Sequence, residues 1–268
     1  MTELSESVAC ALDSAAQRLL GGKDVAVAFS GGIDSGIVAA LTVKYAKNVR
    51  LYTAGTSGSH DIEAALATAP LIGADIETIE IHDSDITDYL REAMAITGTD
   101  SPLTLAFEMP LFCVMKTCKE DSVTGGQGSD EQFAGYSKYV GKQDIQLREE
   151  MVKDMAKLYK EALPHEKKVA EHFGKGIAYP YLDKDLVAIL RSAPMEAIRP
   201  VDQDVRKKLL SDAARDLGLG YLADRPKKAA QYGSGMMDAV KRICRKRGIT
   251  YNKLVADLRK EMDGYSRM

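Results

Sequence analysis

The chain has 268 residues, 45% of them hydrophobic and 28% charged, with a formal net charge of −3. That length and apolar content support a sizeable core and exclude a disordered chain. No run of about eighteen apolar residues occurs, and the opening MTELSESVACAL is acidic where a secretory leader would be basic, so a soluble cytoplasmic protein is expected.

The four cysteines, Cys10, Cys113, Cys118 and Cys244, show neither a CxxC pair nor zinc-ligand spacing, and buried free thiols are expected. The charge is unevenly distributed. Residues 225–268 carry +8 and the preceding residues −11, a basic tail suited to a polyanion or to solvated helix faces.

Leu4, Val8, Leu12, Ala15 and Leu19 form a helical stripe that Gly21-Gly22 ends. The apolar run Val25 to Phe29 is too short for a helix and reads as a strand. Ser30-Gly31-Gly32 follows, and Ile33 to Tyr45 is helical. Val49 to Ala54 predicts a second strand, Asp61 to Ile72 a helix closed by Gly73, and Glu77 to Ile81 a third strand. A helix around Met109 to Cys118 and a strand at Ser122 to Thr124 come next, then the loop Gly125 to Gly135. Beyond Gly141 the pattern is helical: Ile145 to Leu163, Leu182 to Ser192, Val205 to Leu217, Met236 to Arg247 and Leu254 to Met262. Strands alternating with helices imply a parallel sheet with right-handed crossovers. The expected organisation is an α/β nucleotide-binding core over residues 1–140 with a helical extension over 141–268 packed on it.

The segment Ser30-Gly31-Gly32-Ile33-Asp34-Ser35 lies where a strand feeds a helix, the position at which such sheets meet their ligands. Glycines let the backbone approach closely, so successive N–H groups and the helix N-terminus can hold phosphate oxygens. Ser30 and Ser35 add hydroxyls. Asp34 is compatible with phosphate only if a hard cation such as Mg²⁺ lies between them. No Walker A loop, GxxxxGK[ST], is present.

This loop resembles that of the PP-loop ATPases, which split the α/β bond of ATP. Four further segments resemble the synthetase domain of asparagine synthetases: Leu51 to Gly55 with Ser59-His60-Asp61; Gly125-Gly126-Gln127-Gly128-Ser129-Asp130-Glu131-Gln132-Phe133-Ala134-Gly135-Tyr136; Tyr179-Pro180-Tyr181-Leu182-Asp183-Lys184; and Arg225-Pro226-Lys227 with Gly233-Ser234-Gly235. The motifs span residues 25 to 238 in family order.

The resemblance implies a PP-loop, adenine nucleotide alpha hydrolase-like fold that uses ATP and Mg²⁺. It implies that Ser30, Gly31, Gly32, Asp34 and Ser35 hold pyrophosphate, and that Phe29, Ala54, Gly125 and Gly126 contact adenosine. Asp34 and Asp130 would hold Mg²⁺, and Lys227 would face the α-phosphate. The implied reaction adenylates a carboxylate, with aspartate as the leading candidate, releases pyrophosphate and passes the acyl group to ammonia or another amine. Asparagine biosynthesis is the implied setting, and a homodimer is among the assemblies it allows.

Two departures qualify it. The glutaminase domain that usually precedes this one is not seen, so a separate glutaminase or another ammonia source is expected. Gln127 stands where the family has a glutamate; a carboxamide cannot act as a base, which leaves Glu131 next in line. The alternatives are a PP-loop ATPase acting on tRNA, as in thiolation, and a non-catalytic ATP-binding subunit. Cys113 and Cys118 would suit a thiolase, but five helical residues separate them by about 140°, off a shared face.

Overall fold

A computed structural model describes residues 2–223 and 233–265. Five strands form one sheet: β1 (Asp24–Ala28), β2 (Asn48–Gly55), β3 (Ile76–Glu80), β4 (Ser122–Thr124) and β5 (Gly176–Ala178). The order is β3-β2-β1-β4-β5, and every neighbouring pair is parallel. The chain runs outward from β1 through β2 to β3, then returns to place β4 on the other side of β1. A switch point therefore opens between β1 and β4, where ligands bind in sheets of this kind.

Helices cover both faces, which is why Val25, Ala26 and Val27 are all fully buried and the first strand reads as an unbroken apolar run. Val25 and Val27 point into a core shared with α1 (Glu3–Leu20), α2 (Ile33–Tyr45) and α3 (His60–Ile72). Ala26 points to the opposite core, built with α4 (Ile86–Thr97) and α5 (Pro102–Thr117). The first helix ends at Gly21, whose N–H donates to the Gln17 carbonyl, and α3 ends at Gly73 in the left-handed conformation, φ 78°.

The remaining helices are α6 (Ser129–Gln132), α7 (Asp144–Lys157), α8 (Leu163–His172), α9 (Lys184–Ser192), α10 (Met195–Ile198), α11 (Lys208–Asp216), α12 (Met236–Arg247) and α13 (Tyr251–Tyr265). A π-helical turn, Leu158–Ala162, joins α7 to α8. The helical reading beyond Gly141 needs one correction. Gly176–Ala178 forms β5, whose single large apolar residue, Ile177, left no alternation to detect. The helices α4 and α8 and the short helices α6 and α10 were also unpredicted.

Cys113, Cys118 and Cys244 are buried free thiols as expected, but Cys10 is exposed, because it lies on the outer face of α1. Among the described residues no helix is long and apolar enough to cross a membrane.

Candidate active site

The loop after β1 is built for close approach. Gly31 has φ 75°, and a Cβ there would stand 2.3 Å from the Ala64 backbone carbon of α3. Only glycine fits both conditions. The helix α2 then starts from Gly32, which makes no side-chain cap, and the N-terminus of a helix is a place that can receive an anion. Ser30 and Ser35 converge: the Ser30 N–H donates to Ser35 Oγ at 3.2 Å, and the two hydroxyls lie 3.3 Å apart. The fold thus gathers Ser30, Gly31, Gly32 and Ser35 at one strand end.

The second wall comes from the loop after β4. A Cβ on Gly126 would lie 2.8 Å from Asp34 Cβ and 3.0 Å from the Ser35 nitrogen, so the two glycine loops pack directly together at the switch point. Phe29, Ala54, Gly125 and Gly126 accordingly lie at or just beyond the carboxyl ends of β1, β2 and β4. Phe29 extends the ladder by donating to the Tyr52 carbonyl at 2.8 Å, and its ring is buried in the core.

At the end of β2, Gly233, Ser234 and Gly235 dock against the loop that follows. The Thr56 N–H donates to the Ser234 carbonyl at 2.9 Å, and a Cβ at Gly55, Gly233 or Gly235 would collide with that packing. Lys227 lies outside the described residues.

Asp34 and Asp130 meet at a buried ammonium. Lys207 Nζ lies 2.6 Å from Asp34 Oδ1 and 2.7 Å from Asp130 Oδ1, and only 4% of its side chain is exposed. Ser129 Oγ donates to Asp34 Oδ1 at 2.7 Å and accepts from Lys207 at 2.9 Å. Lys207 itself is left-handed, φ 57°, an uncommon conformation for a residue with a side chain.

Two carboxylates from different elements that converge on a cationic point supply hard oxygen donors of the kind Mg²⁺ takes, its other positions being filled by phosphate and water. The residues present therefore fit the ion. Among the described residues no group of three or more His, Cys, Asp or Glu forms a self-sufficient metal cage.

Other residues brace this centre. The Tyr181 hydroxyl donates to the Asp34 carbonyl at 3.0 Å, and its buried ring packs edge-on against Phe133. Asp183 caps α9 by accepting from the Asp185 N–H and pairs with Arg18 at 2.7 Å. The YPYLDK segment is thus a brace and a cap.

Glu131 is buried. Burial pushes its carboxyl upward, while a 2.6 Å hydrogen bond from the Tyr136 hydroxyl pulls it the other way. Gln127 Nε2 donates to Glu166 Oε1 at 2.7 Å.

Sequence reasoning missed Lys207, Glu166 and Ser129. Ser129 stood within a quoted motif, and Lys207 and Glu166 carry no local signal. Cys113 and Cys118 are poor sulfur carriers: burial pushes their thiols up to about 12 and about 11.

The fold and this geometry define a parallel α/β domain in which a glycine loop, the start of α2 and the Asp34–Lys207–Asp130 cluster gather at the switch point of the sheet. A model of the asparagine synthase family matches residues 8–146, more than half of the chain, and the chain belongs to that family. A Methanocaldococcus jannaschii protein carrying the name of a glutamine-hydrolysing asparagine synthetase is 29% identical over 90% of this chain and 51% of its own length. Glutamine-hydrolysing asparagine synthetase B of Escherichia coli K12 is 26% identical over 66% of this chain and 35% of its own. The chain spans about half the length, or less, of these relatives. The solved NMN synthetase of Francisella tularensis aligns over 96% of this chain and 85% of its own, at 15% identity and a TM-score of 0.44.

Proposed function

We propose that this chain is an ATP-dependent amide-forming synthetase that activates a carboxylate, with aspartate as the leading candidate, and transfers it to ammonia or another amine. The observation that carries the reading is the convergence of Asp34 and Asp130 beside the uncapped start of α2.

In this reading the α2 N-terminus and the hydroxyls of Ser30 and Ser35 hold the pyrophosphate portion of ATP. Phe29, Ala54, Gly125 and Gly126 receive the adenosine, largely through backbone. Asp34 and Asp130 would hold Mg²⁺, which supplies charge neutralisation for the leaving pyrophosphate. The substrate carboxylate attacks the α-phosphorus, pyrophosphate departs, and an amine then displaces AMP to leave an amide. Lys227 is assigned to the α-phosphate by the family resemblance, a role suited to fixed positive charge that acts where charge develops.

Glu131 is a less apt base than its position in the motif suggests, since it already accepts a hydrogen bond from Tyr136. Gln127 acts as an orienting amide rather than as a base. The relatives are named as glutamine-hydrolysing enzymes, which supports ammonia delivered by a glutaminase module as the nitrogen source.

The test is pyrophosphate release from Mg·ATP with aspartate and ammonium, using Asp34→Asn as the blank. Asn keeps the shape and leaves the Lys207 pair with Asp130. Aspartate-dependent pyrophosphate and AMP in the wild type, lost in the variant, is the expected result. Equal release by Asp34→Asn would reject the site assignment.

A further inference from the structure

The ammonium of Lys207 stands where a bare cation is poorly placed. Asp34 lies in the first turn of α2, Asp130 in the first turn of α6, and Lys207 is the residue from which α11 starts. Helix N-termini carry partial positive charge. The ammonium is held among them by short contacts that include Asp34 Oδ1 at 2.6 Å, Asp130 Oδ1 at 2.7 Å and Ser129 Oγ at 2.9 Å.

The lysine is also the deepest of the three charged side chains, 4% exposed against 11% for Asp34 and 26% for Asp130. An incoming ion therefore meets the carboxylates before it meets the ammonium. The space around the lysine stem is closely fitted, since a Cβ on Gly135 would come within 2.0 Å of Lys207 Cε. Lys207 thus offsets, from behind, one of the two negative charges that the proposed cation point offers.

We propose that Lys207 makes entry of the metal conditional on the nucleotide: its ammonium lowers the affinity of the Asp34–Asp130 pair for a free divalent cation and raises that of the neighbouring glycine loop for a triphosphate, so that the two enter as one complex. The inference rests on the reading that gives Asp34 and Asp130 to Mg²⁺, and it adds Lys207 to that site as a positioning residue.

The signs follow from charge. In a site this buried, charges a few ångströms apart are weakly screened. An ammonium behind two carboxylates repels a divalent ion that approaches them alone. The same ammonium offsets the repulsion that those carboxylates exert on the phosphates of a metal-free nucleotide at the start of α2. A nucleotide that carries its metal meets both demands, and the coupling between the two ligands is reciprocal.

Removing the lysine charge should therefore move two affinities in opposite directions. A lysine that served only to tie α11 to α2 and α6 would, when replaced, loosen the carboxylates and the glycine loop together and weaken both ligands. The crossed result separates the two roles.

Mn²⁺ serves as the probe, because the electron paramagnetic resonance signal of the aqueous ion falls as it binds. The full chain is titrated with Mn²⁺ in the absence of nucleotide. Calorimetry in EDTA then measures binding of metal-free ATP analogue, with a methylene between the α- and β-phosphorus atoms. Lys207→Met should bind Mn²⁺ about tenfold more tightly than the wild type and the metal-free analogue about tenfold more weakly, within the usual range of coupling between two sites. Lys207→Gln, which keeps a hydrogen-bond donor without the charge, should do the same and is the milder change.

Unchanged or weaker Mn²⁺ binding in the neutral variants overturns the proposal. If neither variant folds, the wild type decides: the Mn·analogue complex should bind about tenfold more tightly than free Mn²⁺ and than the metal-free analogue, and equal affinities overturn the proposal. A wild type that takes up the analogue but no Mn²⁺ with it would instead overturn the assignment of Asp34 and Asp130 to the metal, and the inference with it.

Discussion

Lys207 Nζ and Asp34 Oδ1 lie 2.6 Å apart although the residues stand 173 positions apart in sequence. Their pairing fixes the start of α11 against the start of α2. It also decides how variants at the cation point behave. Lys207→Met should remove the ammonium that Asp34 and Asp130 share and cost about 3–5 kcal/mol, the scale for breaking one side of a buried pair. Thermal unfolding with and without Mg²⁺ checks this: added Mg²⁺ should recover part of the lost stability in Lys207→Met and change the wild type less. No Mg²⁺ dependence in the variant would mean that the two carboxylates do not form a cation point.

Gly135 makes that pairing possible. A Cβ there would stand 2.0 Å from Asp130 Oδ1 and 2.0 Å from Lys207 Cε. Gly135→Ala should therefore push the two partners apart, costing about 1–3 kcal/mol by overpacking. Pyrophosphate release should fall further than stability alone explains. Unchanged release at equal folded fraction would separate the ion pair from the chemistry.

Gln127→Glu should not restore a base. Gln127 already donates to Glu166, so a glutamate there would set a half-buried carboxylate beside a buried one and raise the titration of one of them further. Loss of stability at neutral pH and recovery on acidification are expected in equilibrium denaturation. A stable variant with faster amide formation would show that this half-buried amide is replaceable by charge.

Glu108 and Glu166 set a pH dependence with a definite sign. Each carboxyl titrates near 8 in the folded chain and near 4.5 when exposed. The folded state therefore holds more protons between those values. The contribution is full below about 4.5 and is lost as pH rises toward and through 8. Denaturant midpoints should fall across that window, and Glu166→Gln should flatten the fall by an amount of order a few kcal/mol. An unchanged slope would mean that Glu166 ionises as freely folded as unfolded.

Much of the nucleotide-binding half was legible in the sequence because its signals are local. Val25 to Phe29 is apolar throughout since both faces of β1 are covered, and the glycines after it announce a turn no larger residue could make. The helix α4 carried a usable signal: Ile86, Leu90, Ala93, Met94 and Thr97 repeat at helical spacing and are all buried. The strand β5 did not, having three residues and one large apolar side chain. Site residues divided the same way. Ser30, Gly31, Gly32, Asp34 and Ser35 announce themselves through spacing on a single turn. Lys207 is joined to Asp34, and Glu166 to Gln127, only through space, and a lysine at the start of an ordinary helix looks like any surface lysine. Tyr181 lay within a recognisable segment, but its hydrogen bond to the Asp34 carbonyl depends on the fold.

The register Val25 opposite Ser122 sets an order of assembly. Because β1 waits for β4, and Asp34 and Asp130 wait for Lys207, a chain emerging from the ribosome presents these two carboxylates without that lysine until the start of α11 has been made. Parallel pairings over such separations close slowly. Synthesis rate and early contacts with cations or chaperones therefore act on the same pair of side chains that Lys207 joins in the finished molecule.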